Sequence, residues 1–100
     1  MGNRDLARRH GVESFDPIHW KTANKVERGK MVADLMRMRR FIGSKNQSVY
    51  ELLGPGDCYL GNEDEPCYVV EFESRYFQLG FGVNHSDRPG EVVHVSLTSL

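Results

Sequence analysis

The sequence predicts an α+β domain in which two N-terminal helices pack on one face of a three- to four-stranded antiparallel meander. Apolar residues recur at helical spacing over about residues 24–41, and a second short helical stretch follows them. After residue 57 the spacing changes to the alternation that is typical of strands. With 100 residues, 39% of them hydrophobic, the chain has the size of a single domain, which we place at residues 15–100.

Residues 1–14 show neither period, and we expect them to form a flexible lead-in. Three large apolar side chains, Phe15, Ile18 and Trp20, surround the turn-forming Asp-Pro step that follows. We expect these three side chains to hold the lead-in on the core. Core packing is the simpler role for Trp20, since burying a large apolar side chain contributes about 1.5–3 kcal/mol.

The first predicted helix buries one apolar stripe. Met31, Leu35, Met38 and Ile42 follow one another at steps of four, three and four residues. Val32 and Met36 lie beside them on the same stripe. The methionines favour core packing over an adaptable binding groove, because at this spacing they belong to one continuous apolar face.

The second predicted helix has signals at both ends. Gly43 suits the end of the first helix, and Ser44 with Gln47 predicts a capping box at the start of the second. Gly54 and Pro55 end it, because proline cannot continue the backbone hydrogen bonds. Its inward face is predicted to carry Val49, Leu52 and Leu53.

Strand-like segments fill the rest of the chain, at residues 57–60, 67–72, 76–83 and 91–97. The acidic loop 61–66 follows the first segment, a tight turn at residues 73–75 joins the second and third as a hairpin, and the polar loop 84–90 precedes the last. Alternation predicts the core-facing side chains to be Tyr68, Val70 and Phe72, then Phe77, Leu79, Phe81 and Val83, then Val93, Val95 and Leu97.

A motif-like stretch lies at residues 28–55. It contains Arg28-Gly29-Lys30-Met31-Val32-x-Asp34-Leu35, then Ile42-Gly43-Ser44, then Val49-x-x-Leu52-Leu53-Gly54-Pro55. With the closing meander it resembles small uncharacterised bacterial proteins with a helix-helix-meander domain. It is more remotely similar to the small lipoprotein of the outer-membrane β-barrel assembly machine and to the β-lactamase inhibitor protein repeat. The resemblance implies an exported protein that binds other proteins, and it assigns no binding residue here.

Residues 1–11 are charged throughout and contain no apolar run, so we expect neither a leader peptide nor a lipid-attachment cysteine in the chain as it stands. We therefore expect a cytoplasmic protein as the chain stands, or a cell-envelope protein if a leader was removed. No apolar stretch approaches the roughly 20 residues that a membrane span needs.

Charge is divided unevenly along the chain. Residues 1–50 contain eleven Lys and Arg against five Asp and Glu, whereas residues 51–100 contain two against nine. One interpretation is a basic helical face that meets an anionic partner, built from Arg37, Arg39, Arg40 and Lys45. The other is a solvated helical layer beside an acidic sheet, which is the commoner meaning of such charges.

Two pairs of potentially reactive residues each enclose eight others, Cys58 with Cys67 and His85 with His94. Structural zinc sites usually have about two to four residues between cysteines, so this spacing gives no reason to assign a metal, and no cofactor motif is present. The cysteines have two interpretations, a disulfide between adjacent strands or two free thiols in an intracellular protein.

We expect a non-enzymatic protein-binding module, a monomer or weak dimer whose partner is another protein. Its predicted interaction surface contains Tyr76, Gln78, His94, His85, Arg37 and Arg40. A small enzyme or metal-dependent protein is the alternative, and it requires convergence of His85, His94, Cys58 and Cys67. A nucleic-acid-binding module that uses the basic helical face is third.

Overall fold

The structure is a computed structural model that describes residues 2–37, 41–58 and 65–100. Its helices and strands are α1 (Asn3–His10), α2 (Pro17–Thr22), α3 (Lys25–Arg37), α4 (Asn46–Leu53), β1 (Cys67–Phe72), β2 (Arg75–Val83) and β3 (Val92–Ser99). The strands form one antiparallel sheet in the order β1-β2-β3. The predicted α+β class, with N-terminal helices and a closing meander, is confirmed.

The predicted strand at residues 57–60 lies partly outside the described residues. Asp57 and Cys58 form a bend, so the first half of that segment is not a strand. Residues 59–60 and most of the predicted acidic loop, residues 61–64, are outside the described ranges.

Helix α1 forms within the segment that was predicted to be a flexible lead-in. Leu6 and Ala7 are buried against the core, and the two residues are too few to give a helical period in the sequence. Gly11, which follows α1, packs so closely on Ala33 that a Cβ at this glycine would lie 2.5 Å from the Ala33 Cβ. The N-terminal segment is thus packed directly on α3.

Trp20 is the packing anchor that the sequence predicts. It is fully buried, and its ring lies 6.1 Å from that of Tyr68 and 5.9 Å from that of Phe15. The expectation for Ile18 is wrong, because this side chain is exposed. Helix α2 begins at Pro17 and has only six residues. Of its two large apolar side chains, Trp20 faces the core and Ile18 faces away from it.

Helix α3 begins with a capping box that was not predicted, although Asn24 and Glu27 have its characteristic spacing. The Asn24 Oδ1 accepts a hydrogen bond from the Glu27 backbone N–H at 2.9 Å, and the Glu27 Oε1 accepts one from the Asn24 N–H at 3.2 Å. A hydrogen bond with His19 further lowers the pKa of Glu27. These bonds satisfy backbone donors that the first turn of a helix leaves without partners.

The predicted apolar stripe is correct for the body of α3, where the buried members are Met31, Val32 and Leu35. It fails at Ile42, which lies in a turn and is exposed. Phe41 is buried in the core instead. Met38 lies outside the described residues.

Gly54 ends α4 as predicted, and it adopts a positive φ of 83°. Gly43 also has a positive φ, 90°, but it lies in the turn before α4 and not directly after the last residue of α3. The predicted Ser44–Gln47 capping box is wrong. Helix α4 has Lys45 at its N-cap and no side-chain capping bond. Ser44 instead accepts a backbone hydrogen bond at 2.7 Å from the first residue of β3, so its position is set by the sheet.

The inner face of the sheet forms the core with the helices. Alternation predicted its members correctly in β1 and β2, which are Tyr68, Val70 and Phe72, then Phe77, Leu79, Phe81 and Val83. The Tyr68 hydroxyl donates a hydrogen bond to the Gly54 carbonyl at 2.6 Å, and burial raises the pKa of this tyrosine. The bond joins the centre of β1 to the end of α4.

Strand β3 departs from simple alternation at its start. The register pairs Val83 with Val92 but Gly82 with His94, so Val93 is an extra residue in a β-bulge. Val92 is therefore fully buried, whereas Val93 is 52% exposed. The prediction of an inward Val93 is wrong, while Val95 and Leu97 pack on the core as predicted.

The bulge predicts opposite results for one substitution at two adjacent positions. We expect Val92→Thr to lower the free energy of unfolding by about 1–2 kcal/mol, because its hydroxyl would be buried without a partner. Val93→Thr should change it by less than about 0.5 kcal/mol, as is usual at exposed positions. Urea denaturation of both variants measures the difference, and equal losses would contradict the bulged register.

Both edges of the sheet make hydrogen bonds to non-strand segments. Along β1, Asp57 donates its backbone N–H to the Cys67 carbonyl at 2.7 Å and accepts the Val69 N–H on its carboxylate at 3.2 Å. Along β3, the turn before α4 bonds both backbone groups of Val92: the Gly43 N–H donates to the Val92 carbonyl, and the Ser44 carbonyl accepts from the Val92 N–H. The side-chain amide of Asn3, at the start of α1, donates to the Leu97 carbonyl at 2.9 Å.

Candidate functional site

The first two residues of the motif-like stretch hold the helical layer on the sheet. Arg28 donates from Nε to the Trp20 carbonyl at 2.9 Å and from Nη1 to the Asp57 carboxylate at 3.1 Å. Its guanidinium also lies 5.0 Å from the centre of the Trp20 ring. The next residue, Gly29, lies so close to β1 that a Cβ would stand 2.2 Å from the Glu71 carbonyl oxygen. This part of the motif is structural.

The two cysteines form a disulfide, which decides between their two interpretations. The Cα atoms of Cys58 and Cys67 are 5.1 Å apart, and the bridge closes the loop between α4 and β1. In this state neither sulfur is a thiolate that could attack a substrate or bind a metal. Among the described residues, no three His, Cys, Asp or Glu side chains are grouped closely enough to hold a metal ion.

The outer face of the sheet points away from the helices. The register places on it Val69, Glu71, Tyr76, Gln78, His94, Ser96 and Thr98. Gln78 lies at its centre, paired with Val69 on one side and Thr98 on the other. Tyr76 is 51% exposed, so an aromatic ring stands beside short polar side chains. We name these four residues, Val69, Tyr76, Gln78 and Thr98, the open patch.

The two predicted histidines approach the opposite end of the same face, around Gly82. A Cβ at this glycine would lie 3.5 Å from the His94 Cβ and 3.7 Å from the Glu65 carboxylate. His85, in the loop between β2 and β3, reaches the same carboxylate from Nε2 at 3.5 Å. Glu65 therefore stands near both histidines, and the open patch lies beyond them along the sheet.

The predicted basic residues belong to the helical layer and not to the sheet face. Arg37 pairs with Asp34 at 3.1 Å on α3, and the Lys45 Nζ donates to the Pro89 carbonyl at 3.0 Å. Arg40, like Arg39, lies outside the described residues. The structure therefore places Tyr76, Gln78, His94 and His85 on or beside one face, and Arg37 elsewhere.

Four members of the outer face, Val69, Glu71, Ser96 and Thr98, were not among the predicted site residues. Strand alternation predicts that Ser96 and Thr98 share a face with His94, because they stand two and four residues after it. Only the pairing of β2 with its neighbours shows that they adjoin Gln78.

Comparison of the chain with protein-family models, with curated sequences and with solved structures finds no match. No helix of the described ranges has the length and apolar character that a membrane crossing requires.

Proposed function

We propose that the chain is a non-enzymatic protein-binding module that meets its partner with the outer face of its sheet. The observation that carries this proposal is the open patch, in which Tyr76 is half exposed beside Gln78 and Thr98. Tyrosine is enriched at protein interfaces because it gives a large contact area at a low cost in conformational entropy. Short polar neighbours leave the ring accessible.

The size of the face indicates how strong such binding can be. Three strands about 4.8 Å apart, with about six residues each at 3.3 Å, give a face of roughly 10 Å by 20 Å. A stable interface buries about 800 Å² on each partner, which is several times more. The partner therefore also contacts the loop at residues 84–91, or binds transiently.

The disulfide supports one of the two predicted locations. Disulfides persist in oxidising compartments and are rare in the cytosol, where thiols are kept reduced. We therefore favour the cell envelope over the cytoplasm for this chain, with the partner in the same compartment. Export and protein binding are also what the resemblance to the helix-helix-meander proteins implies.

Site-specific crosslinking in living cells tests this proposal. A photoreactive amino acid at Gln78 is expected to capture one partner protein, whereas the same amino acid at Glu51, exposed on α4, should not. Tyr76→Ala should reduce the captured amount about tenfold or more, the loss typical of an interface hot spot. Its effect on the melting temperature should be small, because about half of the ring is exposed already.

The outcomes separate the two parts of the proposal. Equal capture from positions 78 and 51, or capture that Tyr76→Ala leaves unchanged, would contradict a binding site on the open patch. An exported partner supports the envelope location, and a cytosolic partner contradicts the location while leaving the binding site intact.

A further inference from the structure

A groove opens on the other side of the β1 edge, where the end of α1, the first half of α3 and the end of β1 meet. Its volume is about 310 Å³, and its lining includes Val12, Val26, Lys30, Glu71 and Phe72. That volume is at the lower end of the range for ligand sites, roughly 300–1,000 Å³. The groove therefore suits one or two side chains of a partner better than a whole cofactor.

The groove has an apolar floor and apolar walls. Phe72 forms the floor and is nearly buried, with its ring stacked 4.1 Å from Phe77 and 5.8 Å from His10. Val12 and Val26 stand on two separate segments and are 77% and 44% exposed. Two exposed aliphatic side chains around a preformed apolar floor favour the docking of another aliphatic side chain.

Opposite charges stand on opposite walls. Lys30 on α3 and Arg9 on α1 bring positive charge to the helical wall, where Lys30 also interacts with Glu27 of its own helix, and Glu71 on β1 brings negative charge to the strand wall. The neighbouring charges are satisfied differently, since the His10 Nε2 donates to the Glu73 carboxylate at 2.9 Å and this bond lowers the pKa of Glu73. The helical wall thus offers a cation, and the strand wall offers an anion.

We propose that this groove binds a peptide segment of a partner protein in which an aliphatic residue stands between an acidic and a basic residue. The aliphatic side chain packs on Phe72 between Val12 and Val26. The acidic residue faces Lys30, and the basic residue faces Glu71. A lipid surface or a nucleic acid would match only the cations of the helical wall, Arg9 and Lys30, and would be repelled by the carboxylates at positions 71 and 73. The groove adjoins the open patch only at Glu71, which pairs with Tyr76 across the sheet, and the proposal does not rest on the function proposed above.

The probe is a phage-displayed library of random dodecapeptides, selected on the wild-type chain and on two charge-reversal variants, Lys30→Glu and Glu71→Lys. The wild type should enrich peptides with an acidic, an aliphatic and a basic residue close together. Lys30→Glu should lose the preference for the acid, and Glu71→Lys the preference for the base. The best wild-type peptide is then synthesised, and we expect Val26→Ser to weaken its binding at least fivefold in fluorescence anisotropy.

A matched control tests whether the selected peptides depend on the groove. Gln78→Ala with Thr98→Ala, the paired members of the open patch that do not adjoin Glu71, should select the same peptides as the wild type. Three outcomes would each overturn the proposal: the wild type enriches no peptides, both charge-reversal variants select identical peptides, or the selected peptides are lost only on the open-patch control. All substituted side chains are at least partly exposed, and circular dichroism checks that each variant is folded.

Discussion

Replacing Gly29 with alanine is expected to lower the free energy of unfolding by about 3 kcal/mol, at the upper end of overpacking effects. The new Cβ would stand 2.2 Å from the Glu71 carbonyl oxygen and 3.0 Å from its carbon. Both are backbone atoms of β1, so the clash is relieved only if α3 moves away from the sheet. The better helix propensity of alanine returns only about 1 kcal/mol.

Thermal and urea denaturation measure this effect. In a domain of this size a loss of about 3 kcal/mol lowers the melting temperature by roughly 10–20 °C. Gly2→Ala is the matched control, because its Cβ would meet only the Asp5 carboxylate, at 4.0 Å. We expect the control to lose no more than about 1 kcal/mol, because Gly2 is the N-cap of α1 and alanine is a poorer N-cap than glycine. A Gly29→Ala variant as stable as this control would mean that α3 does not approach β1 this closely.

The second large effect is expected from removing the disulfide by the paired substitution Cys58→Ala and Cys67→Ala. The two cysteines are nine residues apart, and closing a loop of that length contributes about 2.5–3 kcal/mol through the unfolded chain. Alanine is preferred to serine because Cys67 is fully buried, where a hydroxyl would lack a partner.

A reducing agent provides the internal control for this prediction. It should lower the urea midpoint of the wild type by nearly the same amount as the paired substitution does, and it should leave the substituted chain unchanged. A wild type insensitive to complete reduction would show that the hydrogen bonds of Asp57 to β1 hold this segment without the bridge.

The sequence was most informative where one element alone decides which side is buried. In β1 and β2, alternation correctly predicted the inward side chains from Tyr68 to Val83, and with them the outward Tyr76 and Gln78. Each of these strands buries one face along most of its length, so the alternation of apolar and polar residues within the strand shows which side chains are buried.

Predictions failed where a partner elsewhere in the chain decides the outcome. The bulge at Val93 follows from how β3 pairs with β2, and Ser44 is held by β3 and not by its own helix. Likewise, no local pattern shows that Gly29 meets Glu71. These contacts join residues that are distant in sequence, and a single sequence without relatives carries no record of them.

The occupied edges of the sheet also bear on how copies of this chain meet. A strand whose outward backbone groups are free is a template for another chain, and pairing of this kind starts cross-β aggregation. Here Cys67 and Val69 bind Asp57, while Val92 and Leu97 bind segments of the helical layer. An incoming strand would first have to displace these contacts. The native fold thereby protects the chain against amyloid-like growth, and its partners must recognise side chains and not a free backbone.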